Sequence, residues 1–277
     1  MSIQNNQLLF LDVSTTQNTL PGANLCPVEV SVCQFDLSDL YGKEKVSWGL
    51  HFFIEPDEKI MPAAEIQIGK TASEINGSPL EEGLRKIYEA TSRLRFNPAP
   101  CLIGYNLEYD IDSISRNMKR VFKDKDENLA NFGEVLEAAD KIDVMVMAKR
   151  ILPPSKVGSY TMLNVAVCMY TLKVLEKIEP LIGSVRDNYL CKIIFSGLLK
   201  LAAKLYPKYD FSSVEGILKF MSEPQKAEVF PFGKYMNCKI SDIAKTDPGY
   251  IKWMMDNPGD LEIKNPDLYY TLKNKLY

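Results

Sequence analysis

The sequence predicts an α/β fold: a mixed five-stranded sheet flanked by helices, followed by a small C-terminal module. Three observations predict it. Leu8 to Leu11 form an unbroken apolar run, the pattern of a short strand buried on both faces, and the run ends at Asp12. Val28 to Asp36 and Val46 to Pro56 then alternate apolar and polar residues and complete an antiparallel meander of three strands. After Ile60 the pattern changes, and apolar residues recur at helical spacing around two further strands.

Composition bounds the function. A chain of 277 residues can bury a full core and hold one large domain with a small one attached. Its net charge of −3 gives no global basic field, so any nucleic-acid binding has to use a local patch. The six cysteines (Cys26, Cys33, Cys101, Cys168, Cys191, Cys238) contain no C-x-x-C pair. With only one histidine in the chain, a zinc site is not expected, and the cysteines read as reduced thiols. The start, MSIQNNQ, lacks the charged and long apolar regions of a signal peptide, and no apolar run approaches membrane-spanning length. The expectation is a cytoplasmic protein with no membrane partner.

Taken in order, a polar turn is expected from Ser14 to Asn24, and DLYGKEK joins the second and third strands. His51, inside the third strand, is read as structural. Thr71 and Glu74 have the spacing of a capping box. Pro79 starts a helix with Leu80, Leu84, Ile87 and Leu94 on one stripe. Cys101 to Ile103 form a buried strand, Gly104-Tyr105-Asn106 a turn, and Asp110 opens a helix carrying Ile114 and Met118. Lys123 to Lys141 reads as a surface loop and helix. Leu163, Val167 and Tyr170 share a helical face and read as packing residues.

Several of these stretches resemble one family. LLFLDVSTTQ is similar to the first motif of the DEDD-type 3'–5' exonucleases, F-x-D-x-E-T-T-G; Asp12 matches its aspartate, while Ser14 stands at the glutamate. GYNLEYD resembles the second motif, with Tyr105, Asn106, Tyr109 and Asp110 in the matching places. KIDVMVMAKRILPP is similar to I-D-T-L-x-L-A-R-x-L-x-P, where Asp143 matches an aspartate outside the metal-binding four. Setting the apolar helix of SVRDNYLCKIIFSGLLKL in register with the third motif puts Arg186 at the general-base histidine and Cys191 at the last aspartate. The likeness, to exonuclease I and X-like members of the DnaQ-like group, implies a ribonuclease H-like fold over residues 1–204. A linker with one short helix is expected at 205–224. Residues 225–277 resemble the small C-terminal module of exonuclease X-like proteins, through PFGKY and YIKWM.

The resemblance implies a site built on Asp12 and Asp110, with Ser14, Arg186 and Cys191 at lost positions. Two-metal phosphoryl transfer uses roughly four anionic ligands to hold cations about 4 Å apart. Two carboxylates would hold Mg or Mn weakly, and no tightly bound cofactor is expected. A missing general base costs ~10²–10⁴-fold in rate. The expected function is therefore a catalytically inactive or crippled exonuclease-fold protein, a pseudoenzyme that binds single-stranded nucleic acid or a DNA-processing protein. One alternative is an active nuclease using Asp12, Asp110, Asp187 and Glu29 or Glu108; another is a protein-interaction scaffold. Expected nucleic-acid-binding residues are Tyr105, Asn106 and Arg186 in the cleft, and Lys234, Lys239 and Trp253 in the module, where lysines interleave with aromatics.

Overall fold

A computed structural model describes residues 6–17, 25–41, 48–170 and 183–275. The centre of the molecule is β1 (Gln7–Thr15), which pairs antiparallel with β2 (Pro27–Asp36) on one side and parallel with β5 (Cys101–Gly104) on the other. β3 (Trp48–Glu55) extends the meander beyond β2, and β4 (Ser78–Pro79) is a two-residue stub parallel to it. β6 (Lys141–Asp143) closes the far side parallel to β5, so the order is β4-β3-β2-β1-β5-β6. The sheet thus has six strands rather than the expected five. The additional one is the β4 stub, whose two residues are too short to carry a periodicity.

Alternation along β1 sends its side chains to two cores. Leu8 and Phe10 enter one core with helix α9 (Gly183–Leu205), and Leu9, Leu11 and Val13 enter the other with α2 (Leu80–Ala90) and α3 (Leu107–Phe122). On the first face Phe10 meets Phe35 and Phe195 edge-on at centroid distances of 5.5 and 6.2 Å. On the second, Leu84, Ile87, Ile114 and Met118 are fully buried, as their helical stripes required. A fully buried phenylalanine such as Phe10 contributes about 3–5 kcal/mol relative to alanine, which fixes β1 in place.

The remaining helices of the sheet domain are α1 (Pro62–Ile68), α4 (Glu127–Ala130), α5 (Phe132–Ala138), α6 (Val144–Ile151), α7 (Pro154–Val157) and α8 (Met162–Met169). The Thr71–Glu74 capping box is present. Four local expectations need correction. β1 continues through Ser14 and Thr15, which pair with β2, so the turn starts later; residues 18–24 lie outside the described residues, as do 42–47 of the second connection. The 123–141 segment forms two short helices that bury Leu129, Phe132 and Leu136, because its apolar residues reach the α3 face. In α8 it is Val165 and Ala166 that are buried, while Leu163 and Val167 are 59% and 50% exposed. Its packed side is set by the neighbouring α9, which the period alone does not reveal.

The fourth correction concerns residues 205–224. They contain one short helix, α10 (Val214–Ser222), as expected, but Tyr209, Phe211, Val214, Ile217 and Phe220 are buried in the α9-side core. The rings of Tyr209, Phe211 and Phe220 pack edge-on at 5.1 to 6.2 Å. The C-terminal part consists of α11 (Ile240–Thr246), α12 (Pro248–Asp256), α13 (Leu261–Lys264) and α14 (Pro266–Lys275) around Phe230, Ile251, Met254, Leu268 and Leu272. Arg150 of α6 ties it down. Its guanidinium meets both carboxylate oxygens of Asp267, at 3.1 and 3.2 Å, and donates to the carbonyls of Phe220, Met221 and Glu223. Among the described residues no helix is long and apolar enough to cross a membrane.

Candidate active site

The parallel strands β1, β5 and β6 end on one edge of the sheet, where a central strand hands its side chains to the adjoining turns. β5 leaves through Gly104 and Tyr105 into Asn106, whose left-handed backbone (φ 61°) turns the chain into α3. Asp143, at the end of β6, fixes that turn. Its carboxylate accepts from the backbone N–H groups of Asn106 and Leu107 at 3.1 Å, and from Met145 at 2.8 Å in its own helix. One buried-edge carboxylate thus caps two helix N-termini, a structural role, as the family likeness implied.

Asp110 lies in the first turn of α3, 4% exposed, and its Oδ1 accepts the Val13 N–H at 3.1 Å. That bond puts Asp110 beside Asp12 on β1. The two aspartates line a single cavity of about 260 Å³, together with Asp187 of α9 and with Tyr105, Asn106 and Tyr109 on its walls. Tyr109 reaches across to donate to the Gln17 carbonyl at 2.6 Å, and the Tyr105 hydroxyl donates to the Tyr160 carbonyl at 2.8 Å. The cavity is therefore braced from β1, α3 and the approach to α8.

Electrostatically it is a pocket of crowded carboxylates. Burial, then Asp110, Asp187 and Glu29, push the Asp12 carboxyl well above its ordinary range, against a smaller opposing pull from Arg186. Burial also raises Asp110, opposed by the Val13 N–H, with Asp143 and Asp187 adding to the rise. Asp187 is raised by burial and held back by Arg186, whose Nε lies 3.0 Å from its Oδ1. Carboxylates held this way favour a proton or a cation among them. Beneath them Cys191 is buried, its thiol pushed up by burial first and then by the surrounding aspartates, so it stays uncharged.

The two positions where the resemblance expects further ligands thus carry no charge: Cys191 and Ser14, which is 2% exposed with an unpartnered Oγ. Arg186, at the general-base position, is 38% exposed and paired to Asp187. No histidine lines the cavity. His51 lies elsewhere on the same sheet face, with Nε2 2.8 Å from Glu29. Of the alternative carboxylates, Asp187 reaches the cavity. Glu29 sits behind Asp12, opposite Ser14 on β2, and Glu108 is exposed on α3 outside it. Among the described residues, no three His, Cys, Asp or Glu side chains are gathered as a ready-made metal cage. Gln67 and Met162 also line the cavity, and no motif marks them.

In the C-terminal part, Phe230 is core and Trp253 is 59% exposed, stacked on half-buried Tyr250 at 6.0 Å with 29° between the planes. Lys239 is exposed. Lys234 lies 4.7 Å over the Tyr235 ring and 3.4 Å from Asp247. The exposed indole is thus continued through Tyr250 to Tyr235, whose ring centroids are 5.0 Å apart, and so to Lys234.

Residues 230–258 match the exodeoxyribonuclease X-like C-terminal family model. Exodeoxyribonuclease 10 of Escherichia coli strain K12 is 36% identical over 64 residues, which is 23% of this chain and 28% of that protein. The fold is that of exonuclease I. A zinc-bound E. coli exonuclease I–ssDNA complex superposes with a TM-score of 0.51 at 17% identity, covering 73% of this chain and 42% of that one. E. coli exonuclease I in complex with a dT13 oligonucleotide gives 0.51 at 16%, over 73% and 43%. The chain thus spans less than half the length of these exonucleases. The ribonuclease H-like fold and the exonuclease X-like C-terminal segment, both implied by the motifs, are borne out.

Proposed function

We propose that this chain, an exonuclease I fold joined to an exodeoxyribonuclease X-like C-terminal segment, binds single-stranded nucleic acid and has crippled 3'–5' exonuclease chemistry. The observation that carries this reading is the composition of the cavity: three carboxylates remain, but neutral Ser14 and Cys191 stand at the further ligand positions and no histidine lines the walls. The donor set fits one hard divalent cation, Mg²⁺ or Mn²⁺, which Asp12 and Asp110 would hold weakly, with Asp187 on the cavity wall. Such an ion supplies Lewis-acid polarisation of a phosphoryl oxygen. It is a poor fit for two, which need more anionic ligands to offset their charge.

The chain's own residues then do the following. Tyr105, Asn106 and Tyr109 wall the cavity and orient a strand end. Arg186, half exposed at the rim beside Asp187, offers a guanidinium to phosphate. With no histidine lining the cavity, deprotonation of water lacks the imidazole base of the family motif. Trp253 and Tyr250 stack on bases, and Lys239 with Lys234 approaches the backbone. Linker and module boundaries at residues 204 and 224 belong to the same proposal, qualified by the burial of Tyr209 and Phe220. In a time course with 5'-labelled single-stranded DNA and Mn²⁺, the protein retains bound strand and shortens it orders of magnitude more slowly than an exonuclease I control. Absence of binding at low salt would refute the reading.

One observation favours a second reading, an active exonuclease with an altered constellation: Asp187 has joined Asp12 and Asp110 in the cavity. In that case Asp187→Ala abolishes cleavage as completely as Asp12→Ala does.

A further inference from the structure

Behind the carboxylate cavity runs a second, largely buried polar seam. Ser14 of β1 stands directly opposite Glu29 of β2, and Asp12 opposite Ser31, so all four project from the face that α9 covers. α9 answers with Ser184 and Asn188, one turn apart on its inner side. Glu29 is 1% exposed; its Oε2 accepts the Ser184 N–H at 3.0 Å, and its Oε1 is 2.8 Å from His51 Nε2. Gly183 permits that approach, because at φ +63° a Cβ there would meet the Glu29 carboxylate at 2.2 Å. Asn188 donates its Nδ2 to the Ser31 carbonyl at 2.8 Å, which fixes the amide and leaves Oδ1 without a donor.

Three buried side-chain polar atoms in the described structure have no hydrogen-bond partner: Ser14 Oγ, Ser184 Oγ and Asn188 Oδ1. All three belong to this seam, and each residue is 4% exposed or less. An unpartnered buried polar atom costs about 1–3 kcal/mol, so three along one seam, on residues that face Glu29, bond it or bond its neighbour Ser31, point to a missing occupant. The donors are all oxygens: a carboxylate, two hydroxyls and an amide carbonyl. The Glu29 carboxylate is the acidic group of the set, and Asp12 is its diagonal neighbour across the strand pair.

We infer that this seam holds one hard cation of the Mg²⁺/Ca²⁺ class, with Glu29, Ser14, Ser184 and Asn188 as oxygen donors. The site is separate from the Asp12–Asp110–Asp187 cavity and ties β1 and β2 to the start of α9. Its existence does not require the chain to cleave or bind nucleic acid.

Two measurements test it. Calorimetric titration of the full-length Asp110→Asn protein with Mg²⁺ and Ca²⁺ weakens the cavity and leaves the seam intact. One saturable site is expected to remain, weakened at least tenfold by adding Glu29→Gln and several-fold by adding Ser14→Ala. Ser14→Ala should leave the metal-free Tm unchanged or higher, since it removes an unpartnered hydroxyl. Affinity unmoved by both substitutions, or no remaining site, would overturn the inference. Independently of any variant, Mn²⁺ soaked into crystals of the natural protein should give an anomalous peak between Glu29 and Asn188. A peak confined to the aspartate cavity, with a structural water only in the seam, would overturn it too.

Discussion

Replacing Arg150 by methionine removes the guanidinium that joins three parts of the chain while keeping much of its apolar stem. Its side chain is 6% exposed and makes a two-pronged contact with Asp267, which is 24% exposed, besides satisfying carbonyls at the end of α10. Removing one partner of a buried pair costs about 3–5 kcal/mol because the other is left uncompensated. Asp267 keeps the Gln225 N–H at 2.7 Å and some water, so the lower end, about 3 kcal/mol, applies here. For a chain of this size each kcal/mol moves Tm by about 2–4 °C, so Arg150→Met should melt roughly 6–12 °C lower. Arg150→Lys should recover little, since one ammonium cannot span Asp267 and the α10 carbonyls together. Scanning calorimetry decides it, with limited proteolysis to locate the weakened region. If Arg150→Met melts within about 2 °C of the natural protein, the guanidinium does not hold the C-terminal part, and the reasoning fails.

Further outcomes follow from the same structure. Asp12 and Asp110 hold protons above the ordinary carboxylate range, so the folded state binds more protons than the unfolded one in that window. Their contribution is complete below the ordinary carboxylate pKa and is lost as pH rises through the folded pKa. In EDTA, Asp12→Asn should therefore be stabilised more at pH 8 than at pH 5, and equal shifts at both would count against the carboxylate crowding. Trp253→Ala should weaken single-strand binding in fluorescence anisotropy by about 1–3 kcal/mol with Tm barely changed, because the indole is mostly exposed. A loss of C-terminal structure on that substitution would instead make it a packing residue. Lys234→Ala with Lys239→Ala should flatten the dependence of log Kd on log salt, by a slope of about 1 to 2 if each lysine meets a phosphate.

Much of the fold was legible because it rests on period and punctuation. The apolar run of β1 and the stripe of α3 forecast those two elements, while the meeting of Asp12 and Asp110 was implied by the family resemblance of their motifs; the Val13–Asp110 bond sets the two side by side. What the sequence concealed depends on neighbours. Asp187 and Cys191 lie one turn apart on α9, and only the seating of that helix shows that the aspartate lines the cavity while the cysteine lies beneath it. Pro207, Pro224 and intervening serines suggested a linker, yet three aromatic rings between them pack together against the main core. Glu29 carries no motif. Its place opposite Ser14 emerges from strand register, and its cap on α9 from a contact 155 residues away. For Trp253 the interleaved aromatics and lysines of the module fitted a small core as well as a binding surface, and the structure leaves this indole mostly outside the core.

The central claim, that a retained exonuclease fold has lost chemistry at Ser14, Arg186 and Cys191, is tested most directly by single-turnover 3'-end degradation of single-stranded DNA in Mg²⁺. The natural protein should be slower than an exonuclease I control by orders of magnitude. The triple variant Ser14→Glu, Arg186→His, Cys191→Asp should gain both metal affinity and rate, with each single change doing little because the ligands act as a unit. Robust cleavage by the natural protein, abolished by Asp12→Ala, would contradict the account.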